Sequence, residues 1–295
     1  MTIYLNGVFM PIEEAKVSVL DRGFIFGDGV YEVIPVYSRR AFRLEEHLRR
    51  LQHSLDGIRL ANPHSNAEWA AIVEQLVARN TGEDQYLYLH ITRGVARRDH
   101  AFPQPPVAPT VFMMSNPLPT PPAELLRSGI ACITAPDNRW LRCDIKAIAL
   151  LPNVLLRQMA VDAGCAETIL IRPGSMTPES TTESAFMTEG AASNIFVVKN
   201  GTLLTPPKDN LMLPGITYDV VLELAAANGI PHEVRRIAAT EVFAADELLL
   251  TSSTKEVLAI TQLDGKPVGT GKPGAMFAKL HKLYQNFKRD VMRAA

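Results

Sequence analysis

Apolar residues recur at helical spacing at Leu44, Leu48 and Leu51, predicting an amphipathic helix over 44–51 with Arg49 and Arg50 at the edge of its buried face. A second helix is expected over 67–79. Tyr86-Leu87-Tyr88-Leu89-His90-Ile91-Thr92 reads as a strand, and further strands are expected at 130–135, 167–171, 185–188 and 248–251. Asn6-Gly7 marks one hairpin turn. Asn200-Gly201 marks another, between Ile195-Phe196-Val197-Val198 and Thr202-Leu203-Leu204. A helical pattern, Val220, Val221, Leu224 and Ala225, follows Leu213-Pro214-Gly215-Ile216-Thr217, and a last helix packs through Phe277, Leu280, Leu283, Tyr284 and Phe287. Prolines 117, 119, 121 and 122 break regular structure and predict an interdomain linker over 117–122. A small N-terminal α+β domain over 1–116 and a larger C-terminal domain over 123–295 are expected on either side.

Composition narrows the class. The 295 residues are 47% hydrophobic, enough for two modest domains with cores of their own. The net charge of −1, with no run of like charge, argues against a nucleic-acid-binding surface. No apolar stretch reaches the roughly 18 residues needed to span a bilayer, so no membrane partner is expected. The amino-terminal segment reads as a strand and turn, not as a secretory leader. Cys132, Cys143 and Cys165 are odd in number and lack metal-ligand spacing. They predict reduced thiols in a cytoplasmic protein without a bound metal.

The unusual residue is Lys146, which stands between charged Arg142-Cys143-Asp144 and the apolar run Ala147-Ile148-Ala149-Leu150-Leu151. A lysine pressed against apolar neighbours loses hydration of its ammonium, and its neutral amine becomes a nucleophile toward aldehydes. The plain alternative is a lysine at a strand end with its head group in water. A pyridoxal phosphate site would further need a carboxylate for the pyridine nitrogen and a phosphate cup. Glu189, in Thr188-Glu189-Gly190-Ala191-Ala192-Ser193-Asn194, is the candidate carboxylate, with small neighbours that leave room for a flat ring; an ordinary hairpin glutamate is the other reading. Ile216 and Thr217 open a helix whose amides and dipole favour phosphate, although Thr217 also suits a simple N-cap. The cluster Thr251-Ser252-Ser253-Thr254 is placed to close such a cup, and Arg50 to add charge.

Taken together along the chain, these segments resemble the fold-type IV pyridoxal-phosphate enzymes, and among them the D-amino-acid aminotransferases. Tyr4-Leu5-Asn6-Gly7, the run from Asp21 to Glu32, Trp140-Leu141-Arg142-Cys143-Asp144-Ile145-Lys146, Thr188-Glu189-Gly190 and Gly215-Ile216-Thr217 carry the resemblance over nearly the whole chain. It implies a two-domain α+β fold with a small N-terminal α/β domain and a larger C-terminal α/β-barrel-like domain. It implies pyridoxal 5'-phosphate as cofactor, Lys146 as the Schiff-base lysine and proton shuttle, and Glu189 as partner of the pyridine nitrogen. Arg50, Ile216, Thr217, Ser252 and Ser253 are the implied phosphate ligands. Arg98-x-His100, with Tyr31, resembles the trap for a substrate α-carboxylate; an arginine fork binds a carboxylate through two charge-assisted hydrogen bonds. The family's pair reaches the neighbouring subunit's site, which implies a homodimer. The implied reaction moves the amino group of a D-amino acid such as D-alanine to a 2-oxo acid such as 2-oxoglutarate. Branched-chain L-amino-acid or amine transaminases and aminodeoxychorismate lyase share the fold and remain alternatives, as does a non-catalytic cofactor-binding protein.

Three segments qualify the reading. Asp99, inside the Arg98-x-His100 pair, is a candidate ion-pair partner for Arg98. The polar connection 172–184 reads as an exposed surface insertion. Gly27-Asp28-Gly29 is only half of a dinucleotide fingerprint, since position 32 is glutamate and no βαβ unit surrounds it, so no nicotinamide cofactor is expected.

Overall fold

The computed structural model describes residues 1–174 and 185–294. Most of the 172–184 connection lies outside the described residues. Two compact units form. The chain passes from the first to the second between Pro119 and Thr120, within the proline run, but Ile145–Leu150 and the C-terminal residues from Met292 on cluster with the first unit. Lys146 therefore belongs to the first unit, whereas the expected domain ranges put every residue after 123 in the second.

In the first unit six antiparallel strands lie in the order Val8–Pro11, Thr2–Leu5, Thr110–Pro117, Gln85–Thr92, Gly29–Tyr37 and Arg40–Ala41. The expected strand at 86–92 is observed, and its alternation is structural: Leu87, Leu89 and Ile91 are buried in the core, while Tyr86, Tyr88 and His90 take the other face. The two expected helices form over Leu44–Gly57 and Asn66–Arg79 and pack into the core with Trp69, Ile72, Val73 and Leu76. Ser65 and Glu68 make a reciprocal capping box that starts the second helix. Register then fixes which side chains can meet. Glu32 pairs with Leu89 and so shares the core face, turned toward the helices, whereas Tyr31 pairs with His90 on the opposite face.

In the second unit ten strands form one mixed sheet, curled into a half-barrel. Asn194–Lys199, Glu247–Ser252, Glu256–Leu263, Ile130–Pro136 and Glu167–Arg172 make its middle, and Ile169, Ile195, Val197, Leu248, Leu250, Leu258 and Ile260 fill a core cluster. The apolar positions form runs at the strand centres, 195–198, 248–250 and 257–260 among them, and most of them are buried, as suits strands covered on both faces. Asn200-Gly201 makes the expected hairpin turn, with both residues at positive φ. Helices run over Leu151–Asp162, Ile216–Ala227 and Ala275–Phe287. The first of these falls between the expected strands at 130–135 and 167–171. The apolar run beginning at Ala147 makes one β-bridge, Val30 to Ala147, and then turns into a helix that leaves Leu151, Val154 and Leu155 exposed. No helix among the described residues is long and apolar enough to cross a membrane.

Candidate active site

Lys146 sits on an extended segment laid against the start of strand Gly29–Tyr37. Tyr31 donates its amide to the Lys146 carbonyl at 2.9 Å, Ile148 donates to Gly29 at 3.1 Å, and the Lys146 amide donates to Ser54 Oγ at 3.1 Å. Gly29 leaves room on both sides, since a Cβ there would meet Ile148 Cδ1 of the lysine segment at 2.9 Å and the Ile91 carbonyl of the neighbouring strand at 2.3 Å. The lysine is half-buried, with Nζ 4.1 Å from the Tyr31 ring centroid and no carboxylate paired with it among the described residues. Its surroundings are thus an aromatic face and polar backbone more than the apolar wall expected from Ala147–Leu151. Beyond Tyr31 the Tyr88 ring lies 5.7 Å away, and its hydroxyl bonds His90 Nδ1 at 2.8 Å. Burial, with Tyr31 adding to it, pushes the Tyr88 phenol up to about 12.

Arg50 is buried and Arg49 exposed, so of the two only Arg50 turns into the unit. Arg50 Nε and Nη2 fork the Glu32 carboxylate at 2.7 Å each, and His47 Nδ1 lies 2.8 Å from Glu32 Oε2. Burial opposes a charge on Glu32, but the Arg50 guanidinium and His47 outweigh it and hold the carboxyl well below the usual range. Burial also lowers the His47 imidazole, against the pull of Glu32. Glu32, His47 and Ser54 escaped sequence reasoning. A glutamate at a core-facing position of a strand was the available signal.

In the second unit Glu189 ends strand Phe186–Gly190 and is buried. Arg139 Nη1 donates to its Oε1 at 2.6 Å; Asn194 Nδ2 and the Leu213 amide donate to Oε2, both at 3.2 Å. Arg139 is itself held by Asp137 through Nε at 2.9 Å and Nη2 at 3.0 Å, with Thr188 Oγ1 and Arg172 also on Asp137. Burial pushes the Glu189 carboxyl up to about 7, with Arg139 and the Leu213 amide pulling the other way. Burial opposes ionisation of Asp137 too, but Arg139 wins and keeps it below its ordinary value. Arg139, Asp137 and Asn194 were not singled out in the sequence, where Asp137-Asn138-Arg139 reads only as the polar end of a strand. Gly190, next to Glu189, also has a local reason to be glycine. A Cβ on Gly190 would meet Ser193 Oγ at 2.4 Å, so the glycine serves the tight turn in which the Gly190 amide donates to the Ser193 carbonyl.

Helix Ile216–Ala227 begins at Gly215 with no side chain capping it, so Thr217 is not an N-cap and the first-turn amides are left for another acceptor. Gly215 touches the Glu189 cluster: a Cβ there would fall 2.0 Å from Asn194 Oδ1. Gly215→Ala is therefore expected to displace Asn194 and to cost about 1–3 kcal/mol of stability, measured as a lower urea midpoint. An unchanged midpoint would show that Asn194 relaxes freely. Ser252 Oγ accepts the Lys255 amide at 3.1 Å and Ser253 is half-buried, while Thr251 Oγ1 is buried without a hydrogen-bond partner among the described residues.

Arg98 and His100 stand on an exposed loop. Both lie by Phe26, His100 with ring centroids 5.4 Å apart and Arg98 with Cζ 5.5 Å from the ring, and within the chain no contact among the described residues joins either to Tyr31 or Lys146. Asp99 does not pair with Arg98 as expected. Its Oδ1 accepts the Ala101 amide at 3.0 Å, a local turn that satisfies it without a cation.

These groups fit pyridoxal phosphate. Within the first unit Lys146 is an amine with no carboxylate paired with it among the described residues; within the second, Glu189 is a buried carboxyl held by directed donors, and helix Ile216–Ala227 starts without a side-chain cap, each a kind of group this cofactor needs. Comparison with known proteins points the same way. The sequence model of the amino-transferase class IV family matches residues 29–263. The D-alanine aminotransferase of Bacillus licheniformis is 39% identical over 97% of this chain and 96% of its own length. That of Staphylococcus epidermidis is 36% identical over 97% of each chain. The branched-chain amino acid aminotransferase of Escherichia coli superposes with a TM-score of 0.86 at 26% identity, over 97% of this chain and 93% of that one.

Proposed function

Because this chain belongs to the class IV aminotransferases and is a pyridoxal-phosphate-dependent transferase, we propose that it moves the amino group of a D-amino acid, D-alanine or a close analogue, to a 2-oxo acid such as 2-oxoglutarate. The carrying observation is the 39% identity to a D-alanine aminotransferase over nearly the full length, against 26% to the branched-chain enzyme of the same fold. Arg98-x-His100 supports it further, as a fork and a donor for an α-carboxylate.

Bound pyridoxal phosphate supplies an aldehyde carbon for the amino group and a ring that delocalises the electrons released from the substrate Cα. Lys146 Nζ is the amine that would hold the cofactor in the resting enzyme, and the same amine would carry the α-proton. Glu189 would keep the pyridine nitrogen protonated, with Arg139, Asn194 and the Leu213 amide fixing the carboxylate's direction. The Ile216 and Thr217 amides and the Thr217, Ser252 and Ser253 hydroxyls would hold the phosphate, and Arg50, forked on Glu32, would add positive charge. Tyr31 and, from a neighbouring subunit, Arg98 and His100 orient the substrate carboxylate. A homodimer accounts for that contribution, and the exposed apolar side chains of Phe24, Leu151, Val154 and Leu155 are consistent with burial in one. A cytoplasmic location agrees with three free thiols.

The test is spectroscopic. In enzyme reconstituted with pyridoxal phosphate, D-alanine should replace the absorbance of the lysine-bound cofactor by that of the pyridoxamine form, and L-leucine should not. Conversion mainly by L-leucine would move the protein to the branched-chain branch without altering its family.

A further inference from the structure

We propose that Arg22 is a positioning residue for the carboxylate-binding pair: its guanidinium grips the backbone of the loop that carries Arg98 and His100. This rests on the reading of Arg98-x-His100 as the carboxylate trap. Arg22 is 3% exposed, whereas the loop is exposed from Arg97 to Phe102. Arg22 Nη1 donates to the carbonyls of Asp99 at 2.6 Å and Ala101 at 3.2 Å, and Nη2 donates to the His100 carbonyl at 3.4 Å. Three consecutive carbonyls are thereby tied to one buried group. Within the loop itself, the Asp99–Ala101 turn adds a local restraint.

The guanidinium is fixed from its other side. Arg22 Nε donates to Asp28 Oδ2 at 2.8 Å, and the same oxygen accepts Arg93 Nε at 2.8 Å. Arg93 donates in turn to the Ile58 and Arg59 carbonyls, and its Cζ lies 3.8 Å from the Phe102 ring centroid, which tethers the far end of the loop. Burial opposes a charge on Asp28, but Arg93 and Arg22 outweigh it and keep the carboxyl below its ordinary value. The backbone under Arg22 is equally restrained: Asp21 caps helix Arg22–Phe26 through the Gly23 amide and accepts Thr92 Oγ1 and Thr110 Oγ1. The Phe26 ring at the end of that helix is shared by Arg22, Arg98 and His100, with Arg22 Cζ 4.8 Å from its centroid. Only a planar fork of five donors serves a carboxylate and three carbonyls at once; a lysine ammonium at the same place reaches fewer. Recognition of a carboxylate depends on such placement, because a displacement of about 1 Å costs on the order of a hundredfold in rate.

The test uses holoenzyme. Arg22→Lys should raise KM for D-alanine by about tenfold or more while kcat falls by no more than about threefold, the pattern expected when binding geometry is loosened. Hydrogen–deuterium exchange should quicken at residues 99–102 and stay unchanged in strand Gln85–Thr92. Arg98→Ala is the companion variant. If Arg98→Ala raises KM but Arg22→Lys changes neither KM nor loop exchange, the inference is overturned and the trap reading stands. If Arg98→Ala leaves KM unchanged, the trap reading fails and takes the inference with it. Should Arg22→Lys not yield folded enzyme, Asp28→Asn keeps Arg22 but weakens its hold. The same local exchange and a KM rise of about threefold support the clamp in that variant, and their absence overturns it.

Discussion

Lys146→Ala should reduce transamination between D-alanine and 2-oxoglutarate by about four orders of magnitude, because in the proposed mechanism one side chain would both hold the cofactor carbon and carry the α-proton. The fold should survive. The segment around Lys146 is held by its backbone, through the Tyr31 and Ile148 amides and Ser54 Oγ, and truncation beyond Cβ removes none of those bonds. The measurement is a coupled assay of pyruvate formation beside a thermal melt. A variant with near-normal turnover would remove Lys146 from the chemistry, while loss of activity together with loss of folding would transfer the explanation to structure.

Replacing Glu189 with Gln should slow the D-alanine half-reaction by about a hundredfold, the scale of removing one preorganised charge from an active site. A neutral amide cannot keep a pyridine nitrogen protonated, and it leaves Asp137 as the carboxylate paired with Arg139. Single-turnover absorbance changes separate this from weaker cofactor retention, which an equilibrium titration with pyridoxal phosphate reads. An unchanged half-reaction rate would assign Glu189 a purely structural place beside Arg139. Burial around Glu189 is what gives its charge this weight, since the same carboxylate in water would be screened.

Much of the candidate site was legible before any coordinates. Lys146, Glu189 and the Gly215-Ile216-Thr217 helix start stood out because each breaks a local rule: a lysine beside an apolar run, a carboxylate among small residues, a helix opened by glycine. The helices at 44 and 66, the strand at 85–92 and the hairpin at Asn200-Gly201 were legible because periodicity and turn chemistry are local properties. The bounds of helix Leu151–Asp162 were not, since its apolar residues Leu151, Val154 and Leu155 are exposed in the isolated chain and its pattern merges with the run after Lys146. Nor did the sequence show that Asp99 would be satisfied by a neighbouring amide instead of Arg98, because an Asx-type turn competes with an ion pair at the same short range.

The sequence by itself determined the family, the order of its motifs and the chemistry those motifs bring, since each is written in a few contiguous residues. Tertiary structure alone decided who holds them. Glu32 meets His47 and Arg50 because strand register turns it to the core face where helix Leu44–Gly57 packs; Arg139 meets Glu189 across fifty positions; Arg22 meets the carbonyls of 99–101 across more than seventy. Charged partners that far apart leave no periodic trace along the chain. Only the folded sheet brings them within hydrogen-bond distance, and only there does burial make each pairing obligatory.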